Sequence, residues 1–156
     1  MEELSRYYTS ADWRQTDDWG WTLLHEVSHN GQADIIQVTC LIIMSLSVSQ
    51  AKIISPQWVC HKSSVMSNTQ DKLGRTPLLV ALMSGAEAEA IEVLVREGEM
   101  VNITDEVGRT AAEAAILYCS SCVLEVILRA LKKMDKGRFN KVGFNNLLAN
   151  REILFE

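Results

Sequence analysis

A long basic stretch is lacking in this chain of 156 residues: its net charge is −5 with acids and bases mixed along it, and its most basic stretch, Lys132, Lys133, Lys136, Arg138 and Lys141, is short. A nucleic-acid surface needs a basic stripe and a polybasic membrane contact needs a dense basic segment, so neither is expected. The N-terminus lacks the basic-then-apolar pattern of a secretory signal. Its cysteines, Cys40, Cys60, Cys119 and Cys122, have no framework-like spacing. Reduced thiols in an intracellular compartment, cytoplasmic or nuclear, are the simpler reading. There is no Gly-rich phosphate loop. There is no nucleophile elbow either, so Asp17, Thr22, His25 and the serines assemble into a triad only on paper. Long apolar runs are scarce. Ile35 to Ala51 is a 17-residue window without charge, at the lower limit for a membrane span. It also holds Gln37, Thr39, Ser45, Ser47, Ser49 and Gln50, which favours a buried helix over a span. Hydrophobic residues make up 47% of the chain, enough for a continuous core and against global disorder.

What is present is a repeated phrase. Asp17-Asp18-Trp19-Gly20-Trp21-Thr22, Asp71-Lys72-Leu73-Gly74-Arg75-Thr76 and Asp105-Glu106-Val107-Gly108-Arg109-Thr110 all read D-x-x-G-x-T. The last two copies start 34 residues apart. A fixed period in the thirties marks stacked repeats. Such an array presents a surface and rarely a catalytic pocket. Binding is therefore the default function, with no catalytic residue, cofactor or metal expected.

Each copy opens the same local plan. Asp and Gly supply turn chemistry, since Asp bonds its own backbone and Gly permits positive φ. A threonine then caps a helix. Thr22 precedes Leu23, Leu24 and Val27 at helical spacing, Asn30-Gly31 ends that helix, and a second starts at Asp34. Thr76 is followed by Pro77 at the first helical position, where its missing N–H costs nothing. Leu78, Leu79, Ala81 and Leu82 form the apolar face, Gly85 ends the helix, and a partner helix runs from about Glu87 to Glu97 before Gly98. Thr110 and Glu113 form a capping box ahead of the slim helix Ala111, Ala112, Ala114, Ala115, Ile116. Val123, Leu124, Val126, Ile127, Leu128 and Leu131 make its partner. The expected layout is a polar lead at 1–16 with Tyr7, Tyr8 and Trp13, a repeat domain at 17–131, and a capping tail at 132–156. The first two Asp anchors are 54 residues apart, 20 more than one period. Residues 39–70 are thus either an extended helix with a loop or a degenerate unit. The Ser55-Pro56 step and the polar run Ser63 to Gln70 favour a loop before Asp71.

The second unit resembles the ankyrin repeat through Asp71, Gly74, Thr76, Pro77, Leu78, Ala81, Gly85, Val93, Leu94, Val95, Gly98 and Asn102. Unit one carries Gly20, Thr22, Leu24, His25, Gly31 and Ile36 in the same phase, and unit three carries Gly108, Thr110 and Ala115. Departures are visible. Unit one lacks the glycine after its second helix, unit two has one extra residue between Gly85 and Gly98, and Ala111 replaces the proline in unit three. The resemblance implies an all-α ankyrin-repeat solenoid of about three to four helix-turn-helix units.

His25-Glu26-Val27-Ser28-His29 matches the H-E-x-x-H pattern of zinc peptidases. On a helix the two histidines could share a metal, with Glu26 as general base. The third ligand is missing at the extended-pattern positions, which hold Gln32 and Ile35, and no Glu follows until Glu87. His25 also falls where ankyrin units place a histidine, so the repeat reading is preferred. Cys119-Ser-Ser-Cys122 lacks a strand-then-helix redox context, and Cys60-His61 would complete a zinc site only by accident of folding. Structural cysteines are the preferred reading.

The resemblance implies that turn tips and inner-helix ends line a binding face. Those positions are Trp19, Trp21, Lys72, Leu73, Arg75, Glu106, Val107 and Arg109 on the turns, and His29, Asn30, Met83, Ser84, Leu117 and Tyr118 on the helices. Exposed Trp and Arg are typical interface anchors. Packing beneath the N-terminal lead explains Trp19 and Trp21 equally well. Replacing Arg75 and Arg109 by Glu is expected to weaken binding and leave the helical signal intact. The layout and the Thr22-Leu-Leu-His-Glu26 opening look like the short IκB-like (vankyrin-type) proteins of insect polydnaviruses. That resemblance implies a monomer that binds another protein, a Rel-homology (NF-κB) transcription factor, stoichiometrically and so suppresses host immune signalling. It also implies that the segments governing regulated degradation are absent. A generic ankyrin adaptor or regulatory subunit is the alternative.

Overall fold

The computed structural model describes residues 15–50, 68–96 and 101–134, with the side chains of 44–50 and 134 outside the description. The expected lead aromatics, the Ser55-Pro56 step, Cys60-His61, Gly98 and the tail beyond 134 lie outside the described residues. Among those residues the fold is all-helical, with no strand. Its helices are α1 (Leu23–Asn30), α2 (Ala33–Gln50), α3 (Pro77–Met83), α4 (Ala88–Arg96), α5 (Ala111–Tyr118) and α6 (Ser121–Met134).

The starts follow from the capping residues. Thr76 is extended, and its hydroxyl accepts from the Leu79 N–H at 3.3 Å, with Pro77 next in the chain. At α5 the exchange is reciprocal: Glu113 N–H donates to the Thr110 hydroxyl at 3.3 Å, and Glu113 Oε2 accepts from the Thr110 N–H at 2.8 Å. At α1 an imidazole takes the glutamate's part, as the Thr22 N–H donates to His25 Nδ1 at 3.1 Å. The end of α1 is set by Gly31, whose φ of 68° is left-handed and whose N–H reaches Ser28 O at 3.1 Å.

Consecutive helices pair: α1 with α2, α3 with α4, α5 with α6. The pairs then stack in two rows. In one row α3 packs between α1 and α5; in the other α4 packs between α2 and α6. The shared core holds Leu24, Ile36, Leu78, Leu79, Leu82, Ile91, Leu94 and Ile127, all buried. Each such side chain contributes roughly 1.5–3 kcal/mol by leaving water. Ala111, Ala112, Ala114 and Ala115 are buried too, so α5 approaches its neighbours closely.

Part of the long gap between the first two turns is taken up by α2. Helix α2 runs for 18 residues, against nine in α4. Among the described residues the first pair rests directly on the second. The expectation of a buried helix over the uncharged window holds for one face. Ile36, Thr39, Cys40 and Ile43 are buried, while Ile35, Val38 and Leu41 are exposed. Among the described residues no helix is long and apolar enough to cross a membrane.

Candidate binding face at the glycine turns

Each turn is held by its aspartate. Asp71 Oδ1 accepts from the N–H groups of Leu73 and Arg75 at 2.9 and 2.8 Å. Asp105 Oδ1 accepts from Val107 and Arg109 at 3.0 and 2.9 Å, and Asp17 Oδ1 from Trp19 and Trp21 at 2.9 and 2.7 Å. A backbone bond closes each loop, with Asp71 N–H donating to Arg75 O and Asp105 N–H to Arg109 O. Consecutive turns are then joined to one another. Lys72 N–H donates to Trp19 O at 3.0 Å, and Glu106 N–H donates to Leu73 O at 3.1 Å. Residues 19, 73 and 107 therefore hold equivalent places on an ordered edge.

Glycine is required where the turns meet. Gly20 and Gly74 have φ of 81° and 71°, and a Cβ at either would lie 2.9 Å from the next turn's backbone nitrogen. Only a residue without a side chain permits both the conformation and the contact.

The two turn arginines are anchored inward. Arg75 Nε and a terminal nitrogen bond Asp71 Oδ2 at 2.8 and 2.6 Å; Arg109 bonds Asp105 Oδ2 at 2.8 Å through both. Burial pushes the Asp71 carboxyl up, but the Arg75 guanidinium and the backbone donors outweigh it and hold the group below the usual carboxylate range. Asp105 behaves alike: burial raises it, while the backbone and side chain of Arg109 lower it by more. The first turn has no arginine. Trp21 stands in that place and reaches across to the second turn, its Nε1 donating to Asp71 Oδ2 at 3.0 Å. The Trp21 ring lies 5.4 Å from His29 and 5.7 Å from the Arg75 guanidinium carbon.

His25 completes this junction. It is fully buried. Its Nδ1 accepts from the Thr22 N–H, so Nε2 carries the proton and donates to Arg75 O at 3.0 Å. Burial pushes the imidazole below its ordinary value, against the opposing pull of Arg75 O and Asp71. Both ring nitrogens are thus engaged, which leaves His25 no lone pair for a metal in this arrangement. His29, its partner in the H-E-x-x-H pattern, is exposed. Among the described residues no three His, Cys, Asp or Glu side chains gather as a metal-holding group. Of the two Cys119-x-x-Cys122 thiols, Cys119 donates to Leu82 O at 3.1 Å and Cys122 is exposed.

The anticipated contact residues separate into two groups. Trp19, Lys72, Leu73, Glu106 and Val107 are exposed on the turns, and His29, Asn30, Ser84, Leu117 and Tyr118 at the helix ends. Trp21, Arg75, Met83 and Arg109 are half-buried. Of the tryptophans, Trp21 packs against Asp71, His29 and Arg75 and Trp19 is 71% exposed, while the N-terminal lead lies outside the described residues. The sequence reading gave the arginines no buried partner, although each lies four residues after its aspartate. It also passed over the exposed stripe of Ile35, Val38 and Leu41, whose only signal was the uncharged window.

Among the described residues the protein is thus all-helical, and its paired helices carry an ordered edge of turns. No protein-family model matches the chain, and no curated protein is significantly similar to it.

Proposed function

We propose that the chain is an ankyrin-like stack of helix pairs that works stoichiometrically, binding another protein along its turn edge. The observation that carries this is the alignment of three turns by Lys72 N–H···O Trp19 and Glu106 N–H···O Leu73, with exposed apolar side chains at equivalent positions. Trp19, Leu73 and Val107 are 71%, 50% and 78% exposed, on a scaffold that already fixes their backbone. Ordering such groups beforehand lowers what association costs. Leu117 and Tyr118 add apolar surface at the end of α5, where the Tyr118 hydroxyl accepts from Arg109 at 3.2 Å.

The partner is a Rel-homology transcription factor, on the likeness of the Thr22-Leu-Leu-His-Glu26 opening and repeat layout to the short IκB-like proteins. In that role the chain is an inhibitor that retains its partner. A pull-down of purified Rel-homology domains at micromolar concentration tests this. Retention that is lost when Trp19 and Leu73 are both replaced by Ser supports it. Absence of binding removes the Rel reading, and reproducible capture of a different, identified protein on the same edge makes the chain an adaptor instead.

A further inference from the structure

The spacing of the turn edge narrows what can lie on it. Trp19, Leu73 and Val107 occupy the same place in consecutive turns, and the turns advance with the layers of helices beneath them. Packed helices are separated by about 8–10 Å. A strand meets that interval poorly. Residues three apart in a strand are about 10 Å apart but face opposite sides, and residues four apart overshoot to about 13 Å. In an α-helix, residues seven apart share a face and lie about 10.5 Å apart. A row of three apolar contacts at layer spacing therefore suits a helix with one apolar residue per heptad.

Charge adds a second constraint. Immediately before each apolar residue stands an exposed charged one: Asp18, Lys72 and Glu106. Their order along the edge is acidic, basic, acidic. The arginines do not alter it, because Asp71 and Asp105 already neutralise them. A complementary helix carries basic, acidic and basic residues beside its apolar row. That order reads the same in both directions, so either helix polarity satisfies it.

We infer that the turn edge takes one amphipathic helix of a partner protein, laid across all three turns. Its apolar residues recur every seven positions and its flanking charges run basic, acidic, basic. The inference rests on the proposed binding function and specifies the binding element. The probe is a helix-stabilised peptide of about three heptads, with Leu once per heptad and Arg, Glu, Arg beside them, titrated calorimetrically into the full chain. Expected is saturable binding, weaker by about ten-fold or more for the charge-inverted Glu, Arg, Glu peptide. Lys72→Glu should reverse the demand at the central position, so that an Arg, Arg, Arg peptide becomes the better ligand. Leu73→Ser should weaken every peptide. Lys72→Gln serves if Lys72→Glu fails to fold. Equal binding of the two charge patterns, or of an extended proline-containing peptide with the same side chains, overturns the inference. So does an unchanged preference in the Lys72 variants. If an identified partner binds the chain and is indifferent to Lys72 and Leu73 substitutions, the helix proposal fails while the binding function stands; a chain that captures no protein fails on both.

Discussion

Ser28 stands where α3 and α5 carry the buried side chains of Leu82 and Ile116. Its hydroxyl oxygen is buried without a hydrogen-bond partner. An unsatisfied buried polar group costs about 1–3 kcal/mol, and alanine is a better helix former than serine. Ser28→Ala should therefore raise the unfolding free energy by about 1 kcal/mol, read as a higher urea midpoint at unchanged slope. A lower midpoint would mean that the hydroxyl has a role. The opposite sign applies at Arg75. Its guanidinium neutralises Asp71, whose side chain is fully buried. Arg75→Glu would set a second carboxylate against that group and orphan the Trp21 contact. The substitution is expected to cost about 3 kcal/mol or more, visible as a lowered thermal midpoint in the helical signal. The expectation that such a change alters binding alone took no account of this ion pair. At the turns the test of binding belongs to Leu73 and Lys72, whose side chains face solvent.

At the level of elements, helices and turns were legible wherever one residue's neighbours in sequence were also its partners. Thr76 with Pro77 and Thr110 with Glu113 marked helix starts, and Gly31 marked a stop, because a cap bonds within a few residues of itself. The Asp and Gly of each phrase announced a turn for the same reason. The bonds between turns were not legible. Trp19 O and Lys72 N are brought together only by the stacking of pairs, and the 54-residue interval between the anchors gave no hint of it. The length of α2 was legible, since the uncharged window Ile35 to Ala51 has no internal stop and the helix runs from Ala33 to Gln50. The turn-to-turn contact can be weighed by comparing two glycines. Gly74 and Gly108 both have left-handed φ, 71° and 85°, but a Cβ at Gly74 meets Glu106 N at 2.9 Å whereas one at Gly108 meets nothing within 4 Å. Alanine at either site bears the left-handed penalty of about 1–2 kcal/mol. Gly74→Ala should cost at least about 1 kcal/mol beyond that through the lost Glu106–Leu73 bond. Equal midpoints for the two variants would show that the bond between turns contributes nothing.

Across the whole molecule the two junctions of the stack differ in kind. Pair one meets pair two through polar side chains: Trp21 to Asp71 and His25 to Arg75 O, both at 3.0 Å. Pair two meets pair three through the alanines of α5, the Cys119 thiol on Leu82 O, and Gln70 on Thr104 O. Among the described residues only the first junction therefore contains a histidine that must stay neutral. Its folded value is depressed by burial, so the unfolded chain takes up the proton first as pH falls. The contribution of His25 is full above the ordinary imidazole value of about 6.5 and is lost as pH drops below it toward the depressed folded value. Asp71 and Asp105 have depressed values too, but their contribution is lost only as pH falls through the carboxylate range, below this window. Stacked units that touch only their neighbours can open one at a time. Acidification from about pH 7.5 to about pH 5.5 should consequently release α1 first. Hydrogen exchange, corrected for its intrinsic pH dependence, would show lost protection in α1 with that of α5 retained. His25→Leu, the residue type that α3 carries at the equivalent Leu79, should flatten the difference. If α1 and α5 lose protection together at every pH, the stack unfolds as one unit and the first junction has no separate sensitivity to acid.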